Sequence, residues 1–196
     1  FCPSEFSCLI TSLRYMIVIM SEELIDRLST LPHRQRNVSD YSVLFHRDAL
    51  VRHLNVVETG LVELVRYSAN GGALVLQRAS DRSVLAEASV YSQHYHCDAV
   101  VADAAHLLEF SKRTVLDAMA TDEILAHLWG RYLAATIQNA RHRAELLARR
   151  SVSDRLDGWL TMHGDKMPAK GQWKSIATEI GVSPEALYRE IAKRRT

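Results

Sequence analysis

The stretch Lys170–Arg194, KGQWKSIATEIGVSPEALYREIAKR, decides how the chain is read. Trp173, Ile176, Ala177 and Ile180 recur at the spacing of one helical face. Gly181 suits the left-handed backbone that ends a helix. Ser183 is a good N-cap, and Pro184 falls on the first helical position, where its missing N–H costs nothing. In the helix that follows, Leu187 and Ile191 turn inward and Glu185, Arg189 and Lys193 point elsewhere. Two short helices joined by Gly-Val-Ser have the pattern of a helix-turn-helix, whose second helix enters a DNA major groove. A carboxylate accepts from cytosine N4 and a guanidinium donates two bonds to guanine, so Glu185 and Arg189 are the expected base contacts. Lys170, Lys174, Ser183, Lys193, Arg194 and Arg195 are the expected phosphate contacts. The Glu185/Arg189 spacing also fits a solvated surface pair.

Working back along the chain, Ser153–Met162 predicts a helix with Leu156, Trp159 and Leu160 apolar. Before it, Thr121 or Asp122 caps a long helix running to about Arg150. Leu133, Ile137, Ala140, Ala144 and Leu147, with Gly130, alternate at three and four residues, a seam that fits pairing with a second helix. A helix of about 30 residues is about 45 Å long, more than an 80-residue β domain covers, so a symmetric dimer is expected through this seam.

Upstream the periodicity changes. Val43–Phe45, Leu54–Val57, Leu61–Tyr67, Ala73–Gln77, Ser83–Ala88, His94–Ala102 and His106–Phe110 read as short strands, with Asn70-Gly71-Gly72 as a hairpin turn. That spacing predicts a jelly-roll or sandwich rather than a parallel sheet. A short helix over Ser111–Ala120 follows it. Ahead of it, Leu24, Ile25, Leu28 and Leu31 make a helix ending at Pro32. Met20 and the N-cap Ser21 mark the expected natural start, with residues 1–19 as upstream sequence or a disordered leader. The expected fold is thus α+β, with a β-roll over 20–120, a dimerisation helix over 121–150 and a helix-turn-helix domain over 151–196.

The 196 residues are 47% hydrophobic and 24% charged, with a net charge of +1. Residues 1–140 hold 12 Lys and Arg against 16 Asp and Glu; residues 141–196 hold 12 against 7. An acidic larger part joined to a basic smaller one fits a sensor joined to a nucleic-acid reader. Three widely spaced cysteines, Cys2, Cys8 and Cys97, make no disulfide framework, so a reducing cytoplasm is expected. They are also too few for an iron–sulfur cluster. His94 and His96 share a strand face while Cys97 points away, which argues against a common metal. No cofactor is expected. Tyr15–Met20 is too short to span a bilayer, so no membrane partner is expected. No nucleophile–base pair or paired carboxylates stand out, so catalysis is not expected.

The order of elements resembles the Crp/Fnr family of bacterial transcription regulators over about residues 24–196. Leu44-Phe45 and Asp48 are similar to its Leu-Phe-x-x-Gly-Asp, with Arg47 in place of the Gly. Gly60–Leu64 resembles its Gly-x-Val-x-Leu, Ala86-Glu87 its Gly-Glu step, and Ser151 with Arg155-Leu156 its Ser-x-x-x-Arg-Leu. Ile176-Ala177, Gly181-Val182-Ser183, Glu185 and Arg189 match its DNA-reading motif most closely. The resemblance implies a homodimer on a palindromic double-stranded operator, RNA polymerase as a partner, and a small-molecule effector in the roll. It departs at Pro184, where the best-known members carry Arg, and a β-wing after the second helix is not expected. Members that bind cyclic AMP carry Arg-Ser ten residues after the Glu; here the positions are Cys97 and Asp98. Glu87, Cys97 and Asp98 are therefore the implied effector pocket, and an effector other than cyclic AMP is implied. Between Arg82 and Lys112 there is no Lys or Arg to replace the missing cation. Two other readings stand beside this one: a cyclic-nucleotide-type module acting through protein contacts without DNA, and a DNA-binding dimer whose sensor no longer senses.

Overall fold

The computed structural model describes residues 22–68, 73–164, 167 and 169–194. The expected start at Met20, the Ser21 cap, the leader 1–19, the tip of the Asn70-Gly71-Gly72 turn and Arg195 lie outside them. The described chain forms two compact units that divide within one helix, between Leu133 and Ala134.

The first unit opens with helix α1 over residues 22–29. Leu24, Ile25 and Leu28 are fully buried on its inner face. Six antiparallel strands follow: β1 (His33–Val38), β2 (Val43–Phe45), β3 (His53–Tyr67), β4 (Ala73–Ala79), β5 (Ser83–Leu85) and β6 (Asp98–Ser111). The sheet order is β1-β6-β3-β4, with β2 also on β6 and β5 also on β3. Helix α2 (Lys112–Thr121) and the start of α3 (Glu123–Ala148) complete the unit. The residues expected to form two strands, Leu54–Val57 and Leu61–Tyr67, form one 15-residue strand. The ladder continues through irregular register around Thr59, opposite His106 and Asp103. Gly60 makes this possible. Its φ is +96°, and an added Cβ would lie 2.3 Å from the Ala104 carbonyl oxygen. The two strands expected at His94–Ala102 and His106–Phe110 are likewise one, β6, which starts only at Asp98.

Strand alternation sends neighbouring residues into two cores. Leu54, Val56, Leu108 and Phe110 face α1 and α3, packing on Leu125, Leu128, Trp129 and Tyr132. Val57, Val62, Leu64, Ala99, Val101 and Leu107 face the inside of the roll, with Tyr95, Cys97 and Leu85. Phe45 stacks on Tyr95 there, centroids 3.6 Å apart and rings 8° from parallel. Asp122 is the cap of α3, accepting from the Ile124 and Leu125 amides at 3.1 Å each. Arg27 of α1 adds an ion pair to it at 2.7 Å.

The second unit contains the rest of α3, α4 (Val152–Met162), a 3-10 turn (Lys170–Gln172), α5 (Trp173–Glu179) and α6 (Pro184–Lys193). Leu146, Leu156, Trp159, Trp173, Ile176, Ala177, Ile180, Leu187 and Ile191 form its core. Ser151 caps α4 by accepting from the Asp154 amide at 3.0 Å. Among the described residues, no helix is long and apolar enough to cross a membrane.

Candidate nucleic-acid interface and effector site

Within the second unit, the turn from α5 to α6 is built as its sequence requires. Gly181 has φ +65°, and a Cβ there would meet Leu147 Cδ2 at 2.5 Å. The Ser183 hydroxyl accepts from the Ala186 amide at 3.2 Å, and Pro184 opens α6. Four main-chain carbonyls converge on Arg155: Nε donates to Arg149, Nη2 to Leu147, and Nη1 to both Ile180 and Gly181. One guanidinium thus joins the end of α3 to the turn ahead of α6.

With Leu187 and Ile191 buried, α6 presents Glu185, Tyr188, Arg189 and Lys193 outward. The Glu185 carboxyl is held below its ordinary value, chiefly by a bond to its own amide, then by the Ser183 hydroxyl and by the charge of Arg189. It is therefore an ionised acceptor, the state that meets the amino group of a cytosine. Lys170 and Lys174 are exposed as well. Tyr188, 42% exposed and tilted against Trp173, was not among the expected site residues. Its place three residues after Glu185 is the signal that would have found it. Arg194, an expected phosphate contact, is engaged within its own unit. Its guanidinium donates to Asp157 at 2.6 Å, to Glu190 at 2.9 Å, and to the carbonyl and hydroxyl of Ser153. In this structure it clamps α6 to α4.

The seam of α3 divides in two. Ile137 is 51% exposed, and Ala140 and Ala144 are exposed beside it. Gly130 faces open space. Leu133 instead packs on the core of the first unit, and Leu147 turns to Gly181. The free apolar stripe is thus shorter than the six-residue seam.

In the first unit, the implied effector residues do not converge as counting from Glu87 suggests. β5 ends at Leu85 because Ala86 takes φ +53°, and a 3-10 helix (Glu87–Tyr91) follows. Cys97 is fully buried inside the roll, whereas Asp98 accepts from the Arg47 amide and pairs with His46 on the β2–β3 connection. The two adjacent side chains therefore meet different surroundings in this structure. Burial pushes the Cys97 thiol up. Glu87 is buried, and its carboxylate accepts from Gln77 Nε2 at 2.9 Å. Burial raises its carboxyl, with the Glu87 amide and Gln77 opposing. A cation does come near, from outside the interval searched in sequence: Arg66 of β3 donates to the His96 carbonyl at 2.9 Å. His94 bridges Leu50 ahead of β6 instead of belonging to it. A hollow of about 540 Å³ is lined by Arg52, Lys112, Arg113 and Asp117 among others, but by none of Glu87, Cys97 and Asp98.

Residues 35–122 match the family model of the cyclic nucleotide-binding domain. No curated protein matches the chain. Three solved structures are similar to it. The c-di-GMP responsive global regulator CLP of Xanthomonas campestris matches with TM-score 0.66 and 17% identity over 89% of this chain and 91% of that one. FixK2 of Bradyrhizobium japonicum matches at 0.67 and 15%, over 83% and 84%. A CRP-family transcriptional regulator of Thermus thermophilus matches at 0.60 and 18%, over 82% and 84%. The roll is therefore similar to a cyclic nucleotide-binding domain over residues 35–122. Over 82–89% of its residues the chain is similar in fold to Crp/Fnr transcription regulators.

Proposed function

We propose that this protein is a sequence-specific, non-enzymatic transcription regulator that binds a palindromic DNA operator as a cytoplasmic homodimer. The observation that supports this reading best is the outer ridge of α6. Glu185 and Arg189 stand on it near the N-terminal half of the helix, the part that meets base edges in a helix-turn-helix. The ridge is backed by a buried core through Leu187 and Ile191, so its side chains are presented from a rigid element. Lys170, Lys174 and Lys193 supply charge for phosphates, which steers and positions without reading sequence. The stripe Gly130, Ile137, Ala140 and Ala144 on α3 suits a second copy, because small residues let two helices approach closely and a two-fold axis makes one stripe meet itself. RNA polymerase is the partner such a regulator addresses once on DNA.

Selection of genomic fragments by the purified protein, followed by titration of the selected duplex at several salt concentrations, tests the reading. The expected result is a palindromic sequence bound with a steep inverse dependence on salt. Equal affinity for selected and random duplexes would refute it, and binding to no duplex would favour a module acting through protein contacts.

A further inference from the structure

A set of hydrogen bonds ties Glu87 to its neighbours. Gln77 on β4 spends its whole carboxamide on it: Nε2 donates to the Glu87 carboxylate at 2.9 Å and to the Val84 carbonyl at 3.1 Å, while Oε1 accepts from the Ala86 amide at 3.0 Å. Both ends of the amide are thereby committed to β5 and to the step into the 3-10 helix. From the other side, the Tyr132 hydroxyl of α3 accepts from the Val84 amide at 3.1 Å. It also donates to the Val84 carbonyl at 3.5 Å. Tyr132 is buried, 9% exposed, in the core that holds α3 to the sheet. A continuous chain of polar contacts therefore runs from β4 through Glu87, Ala86 and Val84 to α3, within one compact unit.

We propose that this network is a built-in substitute for an effector: Gln77 occupies the Glu87 carboxylate and the adjoining backbone, and Tyr132 fastens that assembly to α3, so the domain holds its working arrangement without a small molecule. The consequence for DNA rests on the function proposed above. The physical case is one of competition. A ligand that takes the Glu87 oxygen now bonded to Gln77 must displace that amide, and it gains only what it offers beyond that bond. Buried groups satisfied internally gain little by exchanging partners, whereas leaving one unsatisfied is costly. Cys97, fully buried, presents neither a charge nor a strong donor to draw a ligand in. A small molecule shifts an equilibrium only by its differential affinity for the two states, and here the arrangement it would favour is already bonded.

Hydrogen exchange on the full chain tests this, with Gln77→Met and Tyr132→Phe as variants that keep the side-chain length and the buried ring. Loss of the network should speed exchange at Val84, over residues 87–91 and over 125–133 by about tenfold. Cyclic AMP, cyclic GMP and cyclic di-GMP at millimolar concentration should leave exchange of the unmodified protein unchanged there. The unmodified protein should bind its selected duplex with no nucleotide added, and both variants should bind it more weakly. Protection of residues 84–91 by any of the three nucleotides would overturn the inference, as would unchanged exchange in both variants, or DNA binding that appears only when a nucleotide is added. Should no duplex be selected at all, the regulator reading falls, and the exchange comparison still decides this one.

Discussion

Arg155 Nη1 donates to both the Ile180 and Gly181 carbonyls, at 3.1 and 3.0 Å, so the turn before α6 is held by a residue of α4. The other guanidinium nitrogens reach Leu147 and Arg149. Lysine has one ammonium and cannot span four carbonyls set around a plane. Arg155→Lys should therefore cost the second unit about 2–4 kcal/mol, from two or more charged hydrogen bonds lost. Proteolysis or exchange of residues 173–193 would measure it, and unchanged protection would show that the clamp is dispensable.

Gly60 gives a prediction in the first unit. Any Cβ would overlap the Ala104 carbonyl and Ala105, and the backbone angle disfavours side chains as well. Gly60→Ala should destabilise the roll by about 2 kcal/mol or more. Thermal unfolding followed by near-ultraviolet circular dichroism checks this, with Thr59→Ala as a neighbouring control.

Ile137→Glu should separate the proposed dimer. It introduces a carboxylate into an apolar stripe that meets its own copy, and an unpaired buried charge costs several kcal/mol. Light scattering should change from the dimer mass to the monomer mass at micromolar concentration, while the circular dichroism of each unit is retained. A parent protein already monomeric at that concentration would remove the seam from consideration.

On α6, three substitutions should separate. Arg189→Ala should relax one base position in each half-site and cost about 1–3 kcal/mol on the selected duplex. Lys193→Ala should weaken all sequences alike and lower the salt slope by about one phosphate. Arg194→Ala should leave the salt slope as it is and lower the melting temperature, because its partners are Asp157, Glu190 and Ser153. Titrations at several salt concentrations distinguish these outcomes.

Asp122 provides a pH signature. Its carboxyl is held below the ordinary value of 3.8, first by the Leu125 amide and then by Arg27. A depressed folded value means that the stabilisation is fully present above the unfolded value and is lost as pH falls through the folded one. Asp122→Asn keeps an acceptor for the amides but loses the charge. The variant should melt below the parent protein at neutral pH, and the gap should close in acid below the ordinary Asp range. A gap that persists there would assign the effect to packing.

What could be seen beforehand was whatever depends on near neighbours. The α5–α6 turn follows from Gly181, Ser183 and Pro184, and the outward set Glu185, Arg189 and Lys193 from helical phase. β1 was not legible because His33–Asn37 is polar and exposed throughout, so no alternation marks it; backbone pairing to β6 holds it in place. Gly60 reads as a break, and only its contact with Ala104 and Ala105 shows that it keeps one strand continuous. At the candidate sites the contacts that sequence did not reveal have the same origin. Arg194 looked available because Asp157 and Ser153 lie some forty residues earlier. Cys97 and Asp98 were placed by counting from Glu87, which gives a position but not the side of the strand. Gln77 and Arg66, which reach the Glu87 and His96 neighbourhoods, come from strands that sequence proximity does not join to them.

The pairing of β3 with β6 also bears on how the chain comes off the ribosome. His53 of β3 pairs with Ser111 and Val65 with Asp98, so the longest strand leaves the exit tunnel well before its main partner exists. The helical side of its core waits longer still, since Trp129 and Tyr132 come later in synthesis. Contacts so distant in sequence fold slowly, on the order of milliseconds to seconds for β-rich domains. During that interval Leu54, Val56 and Val57 are apolar groups on an incompletely paired strand, the kind of surface that aggregates. A nascent chain halted before residue 111 should therefore be the species that chaperones engage, and one released after residue 133 should not.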